Sequence, residues 1–331
     1  MAAGRVQVLL VHSANPVFEL PAAAGFEQAL ANVPFVVSFS PAVDETAARS
    51  DLILPDHTNL EGWGYHVPAL ADRRLVTSQQ PVMRPLYDTR ATADVLLALA
   101  RELGGATGEA LPWPNEVDYL RETVNQLNDG SVPPEVFWAQ WRRRGGQWAG
   151  EPEMAVPSPA GAWDGPLAVG TAAGEAAEGS FHFYPYPSIS LYDGRGANKS
   201  WLQETPDPMT TVSWQTWIEV NPHTAEEMGL EANDIVRVIS SEGEVIAIVY
   251  VYPGIEEGVG AMPIGRGHEH YGRFAQNRGS NPVRLLVPTV DEETGALAWG
   301  ATQVRIEPTG ERRQLALLES PAGVEYMLGE H

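Results

Sequence analysis

WIEVNPHTAEEMGLEANDIVRVISSEGEVIAIVYVY, residues 217–252, is the most regular part of the chain. Short apolar runs predict strands over Trp217 to Val220 and Ile235 to Ile239. The turn at Glu242-Gly243 leads from the second run into Val245 to Tyr252, which predicts a β-hairpin. We therefore expect a compact β-barrel-like domain over residues 181–331. It is completed by a helical turn at Thr224 to Met228 and by strands at Gly260 to Ile264 and Thr302 to Ile306.

The N-terminal residues show a different pattern, in which strands alternate with helices. VQVLLV, from Val6 to Val11, is a continuous apolar run of the kind that is buried on both faces of a parallel sheet. Further strands are expected at Phe35 to Phe39 and Leu52 to Leu54, with helices at Ala22 to Ala31 and Asp44 to Arg49. This order is typical of a doubly wound α/β sheet. Three strands are fewer than such a sheet usually has, so residues 1–105 predict part of an α/β domain.

The middle of the chain is predicted to be helical and then extended. Amphipathic helices are expected at Thr89 to Leu103, Glu116 to Asn128 and Pro134 to Arg144, the last two forming a helical extension over residues 106–144. In residues 145–180, 21 of the 36 residues are Gly, Pro or Ala. That composition predicts a low-complexity linker or arm.

Composition limits the classes of partner. The 331 residues contain 21 Lys and Arg against 43 Asp and Glu, a net charge of −22. Such a chain lacks the basic surplus that neutralises nucleic-acid phosphates, and it is poorly suited to an anionic membrane surface. We expect neutral or basic partners and no nucleic acid. Because the chain has no cysteine, it provides no disulfide, thiolate zinc site, iron–sulfur ligand or thiolate nucleophile.

Two polar segments follow predicted strands, where open α/β sheets bind ligands. The turn Ser13-Ala14-Asn15-Pro16 follows the first strand but has no glycine of a phosphate-binding loop, so it either contacts a nucleotide or is a structural turn. Asp44 and Glu45 follow the second strand. Either they accept hydrogen bonds from a ribose or a guanine, or they complement a helix dipole.

The segment from Gly265 to Arg273, GRGHEHYGR, is the densest candidate site. His268 and His270 could chelate a metal with a third ligand, and Asn281 could recognise a heterocycle. Arg266, Arg273 and Arg278 form a basic cluster suited to an anion or a partner. The alternative is a glycine-rich crossover whose arginines pair with the many acidic residues. The spacing of His57 and His66 predicts no metal site, and no Walker loop, GxSxG or HExxH motif occurs.

Five segments together carry a family resemblance, in this order along the chain. They are VLLVHSANP, FVVSFSPAVDETAARSDLILP, NLEGWGY, WIEVNPHTAEEMGLEANDIVRVISSEGEV and GRGHEHYGRFAQNRGSNPVRLL. They resemble the C-terminal half of the large molybdopterin oxidoreductase subunits of the DMSO reductase superfamily, over most of residues 5–105 and 215–307. LQETPDPMTTVSWQTWIEVNP and GHEHYGRFAQNRGSNP are most similar to the molybdopterin-oxidoreductase-like part of bacterial alternative complex III.

The resemblance implies a partial doubly wound parallel sheet followed by a double-psi β-barrel-like domain. It also implies which residues approach a pterin cofactor, if one is retained. These are Ser13, Asn15, Asp44, His268, Arg278 and Asn281. It implies no catalytic residue and no metal ligand in this chain.

The first function that the resemblance implies is a non-catalytic scaffold in a membrane-bound, quinol-oxidising complex. This chain would then hold no cofactor, and the iron–sulfur clusters and haem would belong to partner chains. Expected partners are a companion polypeptide with the N-terminal half, an iron–sulfur subunit, and haem c and integral membrane quinol-binding subunits. The expected location is the periplasmic face of the bacterial inner membrane.

Two alternatives remain. One is the C-terminal half of an active enzyme of the polysulfide or thiosulfate reductase type that holds molybdopterin guanine dinucleotide. The other is a free-standing nucleotide-binding module, which the incomplete sheet disfavours.

Overall fold

The computed structural model describes residues 1–68, 75–148, 179–290 and 294–318. The strands are β1 Val8–Val11, β2 Phe35–Ser38, β3 Leu52–Ile53, β4 Leu75–Thr77, β5 Gly146–Trp148, β6 Phe181–Pro187, β7 Trp217–Val220, β8 Asp234–Ile239, β9 Glu244–Val251, β10 Val259–Ile264 and β11 Gln303–Arg312. The helices are α1 Pro16–Glu19, α2 Phe26–Leu30, α3 Thr92–Leu103, α4 Gly105–Ala110, α5 Glu116–Asn125, α6 Pro134–Arg144, α7 Ser200–Glu204 and α8 Pro222–Met228. Four 3₁₀ turns lie at Ala22–Ala24, Ala47–Arg49, Pro282–Leu285 and Trp299–Ala301.

The chain forms two compact units. The barrel unit consists of Met1–Val37, Ala42–Leu52 and the described part of Val169–His331. The helical unit consists of Ser38–Pro41 and the described part of Ile53–Ala168. The first 52 residues fall largely into the barrel unit, where the turns after β1 and β2 are hydrogen-bonded to the loop after β10. No described helix has the length and apolarity needed to cross a membrane.

A closed six-stranded barrel dominates the barrel unit, as the C-terminal pattern predicted. Its strand order is β10-β6-β11-β8-β9-β7, and β7 pairs with β10 to close it. The β8–β9 hairpin is antiparallel, whereas β7 runs parallel to β9 and β10 runs parallel to β6. Alternate residues of these strands point inward and form an apolar core that includes Ile218, Val236, Val249 and Met262. Burial of this alternating face stabilises the barrel.

Strand β6 was not predicted, although it contributes Phe181 and Phe183 to the barrel core. Its sequence, FHFYPYP, contains two prolines, which disfavour an interior strand. In the structure β6 lies between β10 and β11, with Pro185 opposite Met262. The barrel therefore accommodates a strand whose prolines obscure it in the sequence.

The N-terminal sheet has three strands in the order β1-β2-β3, so the predicted strands are present. The prediction that the first strand is buried on both faces is wrong. Val8 and Leu10 are 55% and 47% exposed, and Phe35 of β2 is also exposed. One side of the sheet packs on a core formed by Val11, Leu30, Val33 and Val36. Val8, Leu10 and Phe35 therefore leave apolar surface exposed, although Val37 of β2 is buried.

The predicted helix at Ala22 to Ala31 is interrupted. Gly25 has a φ of 70°, which separates a 3₁₀ turn from α2. The predicted helix at Asp44 to Arg49 is only the 3₁₀ turn Ala47–Arg49, and the Asp44 carboxylate accepts a hydrogen bond from the N–H of Ala47 at 2.7 Å. Both differences arise from the local backbone conformation, which the spacing of apolar residues does not indicate.

The helical unit packs α5 and α6 around tryptophans. Trp138 stacks on Trp141 at 5.1 Å and on Trp63 at 5.9 Å between ring centroids. Helix α6 has the predicted bounds, since Pro134 occupies its first turn and Gly145 ends it. The predicted linker starts differently, because β5 pairs antiparallel with β4. Residues 149–178 of the predicted linker lie outside the described residues.

Glu116 begins α5 in a cluster of acidic groups, which gives the helical unit a pH dependence. Burial, followed by the charges of Asp94 and Asp56, raises the pKa of Glu116 to about 7. A raised folded-state pKa means that the folded unit binds more protons than the unfolded chain between about pH 4.5 and 7, so stability falls as pH rises through that window.

Glu116→Gln is therefore expected to stabilise α5 at pH 8 by about 1 kcal/mol and to change little at pH 5. Hydrogen exchange of the α5 backbone amides measures this as roughly fivefold slower exchange at pH 8. Glu109→Gln on an exposed position of α4 serves as the control. Equal effects of Glu116→Gln at both pH values would contradict the assignment.

Candidate functional site

The buried carboxylate of Glu45 lies among the candidate residues that the sequence motifs identified. Glu45 accepts hydrogen bonds from Asn15 Nδ2 at 2.7 Å, from the N–H of Glu269 at 2.8 Å and from the N–H of His270 at 3.0 Å. His268 Nδ1 lies 3.1 Å from Glu45 Oε2. Glu45 therefore ties the turn after β2 to the glycine-rich loop after β10.

His268 is held on every side. It is 2% exposed, and its ring stacks on Phe18 with centroids 3.7 Å apart and planes 7° from parallel. Its Nε2 lies 3.2 Å from the carbonyl oxygen of Gly194. Nδ1 faces a carboxylate and Nε2 faces a carbonyl, both of which are hydrogen-bond acceptors, and this arrangement suits a ring that donates from both nitrogens. His268 and Glu45 thus form a buried ion pair.

The electrostatics of Glu45 follow from these contacts. Burial on its own would raise the pKa of Glu45. Hydrogen bonds from His268, from the His270 N–H and from Asn15, together with the charge of His268, hold that pKa well below its usual range. The carboxylate is consequently ionised at neutral pH.

Asn281 completes this Glu45 network, which comprises Asn15, Phe18, Glu45, His268 and Asn281. Asn281 Nδ2 donates to the carbonyl oxygen of Phe18 at 2.8 Å, and its Oδ1 accepts from the N–H of Val283 at 3.1 Å. Asn15 Oδ1 accepts from the hydroxyl and the N–H of Thr46 at 2.8 and 3.1 Å. The structure therefore brings three of the six candidate residues, Asn15, His268 and Asn281, into one buried cluster.

The other three candidates lie outside that cluster. Asp44 is buried beside it and caps the turn at Ala47, as expected for an acidic residue at the start of a helical turn. Ser13 is exposed, and its Oγ lies 3.4 Å from His12 Nε2. Arg278 is exposed at the surface of the barrel unit. Glu45 is not among the six candidates, since spacing alone did not separate it from Asp44.

The three arginines of the glycine-rich segment contact aromatic rings. Arg278 lies 4.8 Å from the Trp214 ring, and Arg273 lies 4.5 Å from the Phe274 ring. Arg266 lies 5.9 Å from Trp217, and burial lowers its pKa to about 10. Among the residues that the structure describes, none of the three is within salt-bridge distance of a carboxylate. The alternative in which these arginines pair with acidic residues is therefore not what the structure shows, and each guanidinium instead lies near an aromatic ring.

Two adjoining clefts lie beside the network, on the side of Arg278. One, of about 620 Å³, is lined by Trp214, Arg278 and Arg313, and the other, of about 310 Å³, by His268, Asn281 and Arg284. The two clefts share four lining residues, Ile246, Asn277, Gly279 and Ser280. Together the two clefts are called the Arg278 groove. Trp214 and Asn277 both have a φ of 59°, a left-handed conformation that is rare outside glycine. Such positions cluster at ligand sites.

No described residues form a group of three or more His, Asp or Glu side chains suited to a metal ion. His268 is engaged by Glu45, and His57 Nδ1 lies 2.7 Å from the hydroxyl of Thr89. These two histidines therefore have protein partners in the structure.

Comparison with known proteins matches part of this barrel to a defined domain. Residues 194–298 match the family described as the molydopterin dinucleotide binding domain. The chain is 27% identical over 316 residues to the menaquinone reductase molybdopterin-binding-like subunit of Nitratidesulfovibrio vulgaris, covering 91% of this chain and 41% of that protein. It is 23% identical to the arsenate respiratory reductase molybdopterin-containing subunit of Shewanella sp. strain ANA-3, covering 91% and 44%.

A further relative is a tetrathionate reductase subunit of Salmonella typhimurium, 25% identical over 72% of this chain and 31% of that protein. In structure, the chain is similar to acetylene hydratase from Pelobacter acetylenicus, with a TM-score of 0.68 and 15% identity over 91% of this chain and 44% of that one. The chain thus spans less than half the length of these relatives.

The glycine-rich loop and strands β7 to β10 of the barrel lie within the residues that match the molydopterin dinucleotide binding domain. The relatives are molybdopterin-binding subunits of the DMSO reductase superfamily, and this chain corresponds to a C-terminal region of such subunits. The family resemblance drawn from the sequence is confirmed.

Only part of this site suits a molybdopterin dinucleotide. Within the Glu45 network, the side chains of Asn15, His268 and Asn281 make hydrogen bonds to protein groups that join separate segments of the chain. The Arg278 groove, which His268 and Asn281 also line, offers arginines that suit the diphosphate of a dinucleotide. The groove therefore fits part of the cofactor.

Proposed function

We propose that this chain is a non-catalytic, molybdoenzyme-like scaffold portion of a membrane-bound, quinol-oxidising electron-transfer complex of the alternative complex III type. One observation carries the proposal. Three of the six positions that would approach a pterin use their polar atoms to join the turn after β1, the turn after β2 and the loop after β10. Residues bonded in this way maintain a fold.

A relative supports the same interpretation. The menaquinone reductase subunit of Nitratidesulfovibrio vulgaris is described as molybdopterin-binding-like, and it matches 91% of this chain. We infer a comparable role here, in which iron–sulfur clusters and haem in partner subunits carry the electrons. Because the chain has no cysteine, it would provide no cluster ligand of its own. We also infer that the six-stranded barrel has the double-psi topology of this superfamily.

The exposed apolar residues of the N-terminal sheet support a companion polypeptide. Val8, Leu10 and Phe35 expose apolar surface that one sheet face of a doubly wound domain would bury. We propose that segments corresponding to the N-terminal half of the relatives cover it. Further proposed partners are an iron–sulfur subunit, and haem c and quinol-binding membrane subunits that hold the chain on the periplasmic face of the inner membrane.

The second candidate is the C-terminal half of an active molybdenum enzyme, favoured by the Arg278 groove. Arg278 and Arg313 would hold the diphosphate of molybdopterin guanine dinucleotide there. When bound, that cofactor supplies oxidation–reduction at its metal, and these residues would serve only to bind and orient it.

The two candidates differ in what the native complex contains. The scaffold proposal predicts iron and haem without stoichiometric molybdenum, tungsten or pterin. The second candidate predicts the metal and the pterin together. Elemental analysis and pterin fluorescence of the purified complex distinguish them.

A further inference from the structure

A third cleft, of about 470 Å³, lies on the barrel unit apart from the Arg278 groove. Three aromatic side chains, Tyr184, Tyr192 and Trp299, line it together with the carboxylates of Glu19 and Asp193. Ile264 and Val283 complete an apolar floor. We refer to it as the aromatic cleft. Aromatic faces combined with carboxylates form an environment that attracts organic cations.

One carboxylate of the cleft has a cationic partner and the other does not. Asp193 pairs with Arg195 at 2.6 Å, and the Arg195 guanidinium lies 5.2 Å from the Tyr192 ring. No cationic side chain within the described residues comes within salt-bridge distance of Glu19. Burial and the charge of Asp193 raise the pKa of Glu19, whereas a backbone hydrogen bond from Asn15 and the charge of Arg195 act in the opposite direction. Glu19 is thus the carboxylate of the cleft that is placed to accept an incoming cation.

The rim of the cleft is unusually apolar for an exposed surface. Tyr184 and Tyr192 are each 56% exposed, and Ile189, in the connection between them, is 77% exposed. Tyr192 has a φ of 55°, so the backbone is held in a left-handed conformation at this aromatic residue. Exposed tyrosine and tryptophan around a recessed pocket are typical of the energetic centre of a protein interface.

We propose that the aromatic cleft receives an arginine side chain of a partner polypeptide, with Glu19 as its carboxylate and Tyr184, Tyr192 and Trp299 as its walls. Arginine matches this site better than lysine, because a planar guanidinium can stack on the rings while it donates two hydrogen bonds to one carboxylate. The interaction of Arg195 with Asp193 and Tyr192 shows the same chemistry within the chain.

Charge and size together favour a polypeptide as the occupant. The net charge of −22 attracts basic surfaces over a long range and speeds their association. The cleft is several times larger than one guanidinium, and Ile189, in the connection between Tyr184 and Tyr192, exposes further apolar surface. Neighbouring residues of a bound segment would cover that rim. The proposal concerns this chain alone and does not depend on whether a cofactor is present.

The experiment measures binding of two synthetic peptides to the full chain by isothermal titration calorimetry. The probe is acetyl-Gly-Leu-Arg-Leu-Gly-amide, and its control carries citrulline, the neutral isostere, in place of arginine. We expect the citrulline peptide to bind at least tenfold more weakly. Glu19→Gln is expected to weaken binding of the arginine peptide at least fivefold. The exposed carboxylate control Glu226→Gln is expected to leave it unchanged.

A second variant separates stacking from general apolar contact. Tyr192→Leu keeps an apolar side chain but removes the ring. It is expected to weaken binding of the arginine peptide at least threefold and to leave the thermal unfolding temperature near that of the wild type. Equal binding of both peptides, no binding of the arginine peptide, or an unchanged affinity in Glu19→Gln would overturn the proposal. Tighter binding of tetramethylammonium than of the peptide would assign the cleft to a small cation instead. Self-association of the chain that Glu19→Gln abolishes would assign it to a second copy.

Discussion

Replacement of Glu45 by glutamine is expected to lower the free energy of unfolding of the barrel unit by about 3 to 5 kcal/mol. The Glu45 side chain is 3% exposed and is paired with His268, which would be left as a buried cation without its counter-charge. Glutamine also cannot accept hydrogen bonds from Asn15, Glu269 and His270 on two anionic oxygens. Chemical unfolding of the full chain, followed by circular dichroism, measures the loss.

Glu27→Gln is the matched control for this substitution. Glu27 also pairs with a cation, Arg49, at 2.5 Å, but it is 53% exposed. Surface pairs contribute little, so a change of at most about 1 kcal/mol is expected. A double variant, Glu45→Gln with His268→Gln, should lose less stability than the sum of the single variants, because no charge is left unpaired. An additive double variant, or equal losses in Glu45→Gln and Glu27→Gln, would refute the buried ion pair.

The same pair sets a pH dependence with a definite sign. Because the folded-state pKa of Glu45 is depressed, its contribution is fully present above the unfolded pKa and is lost as pH falls through the folded pKa. The wild type should therefore lose stability on acidification below about pH 4.5 more steeply than Glu45→Gln does.

Gly267→Ala is expected to destabilise the barrel unit by about 3 to 5 kcal/mol, since a left-handed backbone conformation and a backbone overlap act together. Gly267 has a φ of 91°, and a Cβ at this position would overlap the backbone nitrogen of Asn281. The loop after β10 would have to move away from the segment that carries Asn281. His268, the next residue, would then lose its place against Phe18.

Gly258→Ala isolates the backbone contribution. Gly258 has a φ of 76°, but a Cβ there would meet no atom within 4 Å. Gly258→Ala should lower the free energy of unfolding by only about 1 to 2 kcal/mol, the usual penalty for a side chain in the left-handed region. Thermal unfolding of the two variants side by side tests the difference. Similar losses would mean that the close approach at Asn281 is not what requires glycine at position 267.

The fold could be predicted from the sequence in those parts where hydrophobic periodicity and turn residues agree. Strands β7, β8 and β9 and the turn before β9 are of this kind, as is α6 with proline at its start and glycine at its end. Strand β6 could not be predicted, because Pro185 and Pro187 obscure its alternation, and the neighbouring strands that accept it lie far away in the sequence. The exposed face of β1 was also beyond prediction, because an apolar run does not say whether its second face is covered.

The candidate site was only partly within reach of the sequence. Family motifs placed Asn15, His268 and Asn281, and the structure shows that they meet. The motifs could not show that Glu45 connects them, since 223 residues separate it from His268 and Asp44 stands beside it with the same chemistry. Which of two adjacent carboxylates points inward is decided by the three-dimensional course of the turn.

The metal and pterin content of the native complex tests the central claim most directly. Molybdenum and tungsten should be quantified in the same purified sample as iron and haem, which report that the complex is intact, and pterin should be measured by fluorescence after its release. We predict stoichiometric iron and haem with molybdenum, tungsten and pterin all far below one per complex. Near-stoichiometric metal together with pterin would contradict the scaffold account and identify this chain as half of a working molybdoenzyme.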